Sequence, residues 1–200
     1  SVPMVEMAAA YSTYINAGRP ANPYLIRKVE DAQGQELYRH QEAETNPAFS
    51  EDTRRQMLDM LQSVVDEGTA SRLRTRYGLR GPIAGKTGTT QKNRDAWFVA
   101  LTPRLVHLSW VGLEHYYFGF PNTRIGQGAN AALPLFANWY RELRNDPALS
   151  HWTRGTFGTE KASGSAESDC PPIKKDGFFK RLFTNPKKAG KGKFKNTSGN

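Results

Sequence analysis

The sequence has few of the features that would support a metal, redox or membrane-spanning role. Its 200 residues include one cysteine, Cys170, so no disulfide can form within the chain. The four histidines, at positions 40, 107, 115 and 151, lie too far apart to predict a metal cluster. There is no run of about 18 apolar residues, the length that would predict a membrane-spanning helix. We therefore expect no metal site and no cofactor.

Positive charge is concentrated near the C-terminal end of the sequence. The formal net charge is +9, and residues 171–200 contribute +8 of it through nine Lys/Arg and one Asp. Residues 158–169 are rich in Gly, Ser and Glu, which is typical of a linker. We predict a folded domain over residues 1–157, followed by a linker and a Lys-rich disordered tail over residues 158–200.

The basic tail has three interpretations. A solvated, disordered segment is favoured, because its composition offers little apolar surface to bury. The aromatic side chains among its lysines also suit contact with an anionic surface, such as lipid headgroups or acidic polymers. Specific nucleic-acid binding is not expected, because no recognition fold accompanies the charge.

Residues 84–90, Ala-Gly-Lys-Thr-Gly-Thr-Thr, carry the strongest chemical signal. If they form a strand, the glycines leave its backbone open to a substrate, and the Thr87 and Thr89 hydroxyls point to the same face. Such a face suits a substrate carboxylate, while the N–H of Thr89 suits a developing oxyanion. Lys86 would supply positive potential. For these residues alone, an ordinary Gly/Thr-rich turn is the alternative.

The flanking segments predict a sheet covered by helices. Residues 95–103 and 104–112 are rich in β-branched and aromatic residues, which predicts an antiparallel hairpin beside the first strand. Asn130 is the predicted N-cap of a helix with apolar residues at positions 133, 136, 137 and 140. Ser50 is the predicted N-cap of another helix, with an apolar face at positions 57, 58, 61, 64 and 65.

Two further segments have simple structural interpretations. Asp31-Ala32-Gln33-Gly34 lies between two strand-like runs and predicts a second hairpin. An aromatic loop, Tyr116, Tyr117, Phe118 and Phe120, follows the first hairpin. This loop either packs on the last helix, which we favour, or forms a wall of a substrate cleft.

Taken together, these segments resemble a known family. The series AGKTGTT, DAWFVALTP, WVGLE and GQGANAALPLF is similar to the C-terminal part of the transpeptidase domain of class A (bifunctional) penicillin-binding proteins. The stretches VPMVEMAAAYSTY and VVDEGTA resemble the family's segments in the same order, so the match covers roughly residues 1–145. The resemblance implies an α/β fold of the α+β type, in which helices pack on an antiparallel sheet.

The family has two other motifs, Ser-x-x-Lys and Ser-x-Asn, and both are expected before Lys-Thr-Gly. Neither is found there. No serine is followed by a lysine three residues later, and the only Ser-x-Asn, at residues 198–200, comes after the Lys-Thr-Gly motif instead of before it. We therefore expect the nucleophilic serine, its lysine, a membrane anchor and a glycosyltransferase domain to lie upstream of this chain in a longer protein. We also expect the chain alone to be inactive.

The resemblance implies an enzyme of peptidoglycan biosynthesis. It would be a D,D-transpeptidase that takes cell-wall stem peptides as substrates, binds β-lactams and acts at the periplasmic face of the inner membrane. The resemblance assigns Lys86 and the Thr89 N–H to catalysis, and it assigns substrate binding to Thr87, Gly88, Thr89 and Thr90. A non-catalytic remnant or scaffold of the same fold, and a serine β-lactamase relative, stay open as alternatives.

Overall fold

The structure is a computed structural model that describes residues 2–115 and 117–158. Tyr116, Cys170 and the predicted tail lie outside the described residues, so the tail stays a prediction. In chain order, the elements are α1 (Met4–Ile15), β1 (Lys28–Glu30), β2 (Glu36–Arg39), α2 (Glu51–Asp66), α3 (Arg72–Thr75), β3 (Ala84–Thr89), β4 (Asp95–Leu101), β5 (Val106–Gly112), α4 (Thr123–Gly126), α5 (Gly128–Ala131) and α6 (Leu133–Asn145).

Three antiparallel strands form the central sheet, in the order β3-β4-β5. Thr87 lies opposite Phe98, and Phe98 lies opposite Ser109, so one register runs across all three strands. This confirms the predicted hairpin and its place beside the Lys-Thr-Gly strand. The central strand β4 is the most apolar of the three because both of its faces are covered.

Apolar clusters cover the two faces of the sheet. On one face, which we call the α6 face, Phe98 packs with Leu133 and Phe136 of α6. On the other face, Val99 packs with Leu58 of α2. Helix α2 also reaches the α6 face, since residues near its C-terminal end join that cluster. It therefore passes beside β3 at the edge of the sheet.

The capping and the apolar face of α2 follow the prediction in most respects. Ser50 Oγ accepts a hydrogen bond from Thr53 N–H at 3.2 Å, which confirms the N-cap. Three of the five predicted core positions, 58, 61 and 65, are buried. Met57 and Val64 are only half-buried, because they line a cavity of about 310 Å³ between α1, α2 and β3.

The last long helix begins later than predicted. Its N-cap is Ala132 and Pro134 lies in its first turn, so the prediction of Asn130 as N-cap is wrong. Asn130 lies inside the short helix α5, and its side-chain amide donates to Arg124 O. The chain needs this extra turn because Gly128 first packs against β3 and β4. The predicted burial at positions 133, 136, 137 and 140 is confirmed.

The remaining elements lie at the periphery. Asp31 Oδ1 accepts from the N–H groups of Gln33 and Gln35, and Gly34 has a φ of +82°, so the second predicted hairpin is confirmed as β1–β2. The buried guanidinium of Arg54 donates to Tyr14 O at 2.9 Å and thereby ties α1 to α2. None of the helices in the described ranges is long and apolar enough to span a membrane.

Candidate active site

Strand β3 is an edge strand among the described residues. Thr90 N–H donates to Asp95 O at 3.2 Å, which continues the β3–β4 register with a hydrogen-bonded pair. Such pairs alternate along an antiparallel ladder, so the backbone groups of Gly88 also face β4. Those of Thr87 and Thr89 face away from β4, toward what we call the outer edge of the sheet.

The two threonine hydroxyls lie on the α6 face of β3, as the period of two predicts. Thr87 Oγ1 is 2.8 Å from Thr69 Oγ1, in the turn that follows α2. Thr89 Oγ1 accepts from Gly128 N–H at 3.1 Å. Thr89 is exposed and Thr87 is half-buried, so a ligand at the outer edge can reach both residues.

The Lys86 side chain leaves β3 on the face opposite the α6 face, but its ammonium group lies at the outer edge. Its side chain lines the cavity beside α2, where Tyr11 and Met57 are neighbours. The ammonium Nζ then donates to Thr87 O at 2.7 Å. Because Thr87 O faces the outer edge, the ammonium and the Thr89 N–H occupy the same edge. Positive charge at this position favours a bound carboxylate or a developing oxyanion.

Thr90 is placed differently from the other predicted site residues. Its Oγ1 accepts from Asp95 N–H at 3.0 Å, and its own N–H donates to Asp95 O. These bonds close the turn between β3 and β4, in which Lys92 and Asn93 have φ angles of +61° and +51°. Thr90 therefore stabilises the turn, and its predicted part in substrate binding stays a prediction.

Close packing of Gly128 holds the segment before α6 against the site. A Cβ on Gly128 would lie 2.3 Å from Trp97 O and 2.6 Å from Gly88 O. Only glycine fits at this distance, and the approach brings the Gly128 N–H to the Thr89 hydroxyl. Sequence reasoning missed both Thr69 and Gly128 as neighbours of the site, since the Gly-Gln-Gly run indicated only a helix entrance.

Two residues of the aromatic loop, Tyr117 and Phe118, are largely exposed and do not pack on α6 as favoured. Tyr117 is 91% exposed and Phe118 is 62% exposed, so that interpretation is wrong for these two residues. The loop is instead attached to the turn after β3, where Phe120 N–H donates to Asn93 O at 2.8 Å. Phe120 therefore lies beside the β3–β4 turn. This turn directly follows the predicted site residues in the chain.

His107, on β5, is packed among aromatic side chains of α6. His107 packs against Phe136 and Trp139 of α6, with ring centroids 5.2 and 4.8 Å away, and its Nε2 lies 2.7 Å from Ser109 Oγ. Burial lowers the pKa of His107. Within residues 2–115 and 117–158, no group of three or more His, Cys, Asp or Glu side chains is arranged to hold a metal ion.

Lys-Thr-Gly, carried here on an edge strand of an antiparallel sheet, is one of the three motifs of the penicillin-recognising serine enzymes. The family model described as "Penicillin binding protein transpeptidase domain" matches residues 1–111, which is more than half of the chain. The chain belongs to this family. The recognised family and the fold class are therefore confirmed.

The relatives are class A penicillin-binding proteins. The chain is 33% identical over 140 residues to penicillin-binding protein 1A of Aquifex aeolicus, covering 68% of the chain and 18% of the relative. It is 31% identical over 172 residues to penicillin-binding protein 1B of Vibrio cholerae, covering 82% of the chain and 21% of the relative. The chain thus spans about a fifth of the length of these curated relatives.

A solved structure supports the same fold. Penicillin-binding protein 1A from Haemophilus influenzae superposes with a TM-score of 0.61 at 22% identity. The match covers 71% of this chain and 26% of that one. At this identity, the likeness shows the fold alone.

Proposed function

We propose that the chain supplies one side of the active site of a peptidoglycan D,D-transpeptidase, which cross-links stem peptides and binds penicillin. The observation that carries the proposal is the outer edge of β3. There the Thr89 N–H, two threonine hydroxyls and the Lys86 ammonium lie along one short strand. Family membership supports the same function.

In this proposal, the nucleophilic serine comes from another part of a longer protein, because the sequence has no Ser-x-x-Lys. That protein would carry a glycosyltransferase domain and a membrane anchor, and would act at the periplasmic face of the inner membrane. The 200-residue chain alone would form no covalent adduct with penicillin. Its spanning about a fifth of its relatives' length supports this view.

The proposed reaction has two acyl transfers. The serine oxygen attacks the carbonyl carbon of the D-Ala-D-Ala peptide bond, and the C–N bond breaks. The serine proton passes through a lysine to the departing amine of D-Ala. An acceptor amine then attacks the carbonyl carbon of the acyl ester and the C–O bond breaks. The amine's proton passes through the lysine to the serine oxygen, which completes the cross-link. A β-lactam would acylate the same serine.

The residues of this chain act on the anionic parts of the substrate. The Thr89 N–H donates to the oxygen that becomes negative when the serine attacks, a kind of contact worth about 10²–10³ in rate. The Thr87 and Thr89 hydroxyls hold the terminal carboxylate of the donor peptide, and Gly88, between them, adds no side chain to the strand. Lys86 adds positive potential at the same edge.

Labelling of the intact protein by a fluorescent penicillin tests the proposal. We expect Lys86→Ala and Thr89→Val to slow acylation sharply. The melting temperature should barely change for Lys86→Ala, whose side chain is exposed, and should fall slightly for Thr89→Val, which loses the hydrogen bond from Gly128 N–H. Lys28→Ala, on the remote β1–β2 hairpin, is the matched control. Acylation rates that stay at the wild-type value would show that the Lys86 ammonium and the Thr89 hydroxyl take no part in acylation. Rapid turnover of the β-lactam would instead favour the β-lactamase alternative.

A further inference from the structure

We infer that Thr69 is a positioning residue for the acyl donor: its hydroxyl donates to Thr87 Oγ1 and thereby directs the Thr87 O–H toward the donor's carboxylate. The inference rests on the proposed function and adds a residue to it. Its starting observation is the 2.8 Å contact between the two hydroxyl oxygens, which joins residues 18 positions apart.

The backbone around Thr69 is held in place on both sides. The N–H groups of Glu67 and Gly68 both donate to Ser63 O, at 2.9 and 3.0 Å, which ends α2. On the other side, Ala70 is fully buried and its N–H donates to Val64 O at 3.0 Å. Thr69 is thus presented to β3 by a turn that is itself anchored in the core.

Glycine is required just before Thr69. A Cβ on Gly68 would lie 2.8 Å from Val64 Cα and 2.9 Å from Val64 O, both of which are backbone atoms. The turn can therefore be this tight only with glycine. The tight turn is what brings Thr69, rather than a residue farther along, against Thr87.

The direction of the hydrogen bond follows from what each group can donate. A threonine hydroxyl has one hydrogen to donate, and an ionised carboxylate can only accept. When a carboxylate occupies the outer edge, Thr87 gives its hydrogen to the carboxylate, so the bond between the two threonines must be donated by Thr69. Hydrogen bonds in such a chain strengthen one another.

Thr89 is oriented by the same principle with a different donor. The backbone N–H of Gly128 can only donate, so Thr89 Oγ1 must accept it and keeps its own hydrogen for another acceptor. Each threonine therefore receives one hydrogen bond from behind and presents one hydrogen forward. Two forward hydrogens match the two oxygens of a carboxylate.

The test compares two probes in the intact protein: benzylpenicillin, which carries the carboxylate, and its methyl ester, which does not. The measured quantity is the acylation rate of benzylpenicillin divided by that of its methyl ester. Each rate is obtained by competition with a fluorescent penicillin. We expect Thr69→Val to slow acylation by benzylpenicillin by roughly 3- to 10-fold, the effect of one hydrogen bond, and to change the ester rate by less than about 2-fold. Thr69→Ser keeps the hydroxyl and should restore the ratio.

Controls separate this role from a general effect on folding. Thr75→Val removes a local hydrogen bond from Thr75 Oγ1 to Ser71 O on an exposed turn of α3 and should leave the ratio unchanged. Partial unfolding lowers both rates together, so the ratio within each variant is independent of it. If Thr69→Val slows both probes equally, or neither, the inference is wrong.

The outcome for Thr87 distinguishes a failed inference from a failed function. If Thr87→Val lowers the ratio and Thr69→Val does not, the proposed function stands and the role of Thr69 is refuted. If the wild-type protein is not acylated, or if Thr87→Val and Thr89→Val both leave the ratio unchanged, the carboxylate site itself is wrong.

Discussion

Replacing Gly128 with alanine tests whether the Gly-Gln-Gly segment must touch the sheet to complete the site. The added Cβ would lie 2.3 Å from Trp97 O, 2.6 Å from Gly88 O and 3.0 Å from Gly88 N. All three atoms belong to the backbone of the paired strands β3 and β4, so no side-chain rotation can relieve the contacts. The segment before α6 must instead move away from the sheet.

The expected cost comes from two effects. Restoring van der Waals distances requires a shift of roughly 1 Å, and overpacking of this kind costs about 1–3 kcal/mol. The same shift lengthens the bond from Gly128 N–H to Thr89 Oγ1, now 3.1 Å, beyond hydrogen-bonding distance. The lost bond adds about 0.5–1.5 kcal/mol. We therefore expect the free energy of unfolding to fall by about 2–4 kcal/mol.

Urea unfolding of the 200-residue chain, followed by tryptophan fluorescence, measures this loss. With a denaturant dependence of about 1–3 kcal/mol per molar urea, the midpoint should fall by roughly 1–2 M. Gln127→Ala is the matched control, because it changes the adjacent residue without adding bulk and should cost no more than about 0.5–1 kcal/mol. Equal midpoints for Gly128→Ala and Gln127→Ala would show that the segment does not pack on the strands as described.

Two further changes probe the core beside the sheet. Because burial lowers the pKa of His107, its contribution to stability is complete above its unfolded pKa of about 6.5 and is lost as the pH falls toward the lower folded value. Between pH 8 and pH 5, the urea midpoint of the wild-type chain should fall more than that of His107→Gln. Equal falls in the two midpoints would show that His107 does not cause this pH dependence. Phe136 is 1% exposed and stacks on Tyr140 with ring centroids 5.1 Å apart, so Phe136→Ala should cost about 3–5 kcal/mol. Leu135→Ala, at a half-exposed position of the same helix, should cost far less, and similar losses for the two variants would contradict the assigned core.

Local features of the fold could be predicted because they depend on residues close together in the chain. The cap of α2 joins Ser50 to Thr53, three residues away. The buried positions along α6 likewise recur with the period of a helix. Asn130 shows the limit of this reasoning: its residue type suits an N-cap, but packing of Gly128 on the strands starts α6 three residues later than Asn130.

The exposed aromatic loop illustrates a second limit. Apolar composition favours burial, so packing on α6 was the natural prediction for Tyr117 and Phe118. The backbone bond from Phe120 to Asn93 attaches the loop to the β3–β4 turn instead. Composition cannot specify which neighbour a loop will meet, because that depends on where the turn and the helix end in space.

The sequence by itself was sufficient to recognise the family, to predict the Lys-Thr-Gly strand and to place the Thr87 and Thr89 hydroxyls on one face. Tertiary structure decided which edge of β3 faces outward and which groups hold those hydroxyls. Thr69 meets Thr87 across 18 positions, and Gly128 meets Thr89 across 39. Such contacts arise only when helices and strands distant in the chain pack together, so no local pattern of residues encodes them.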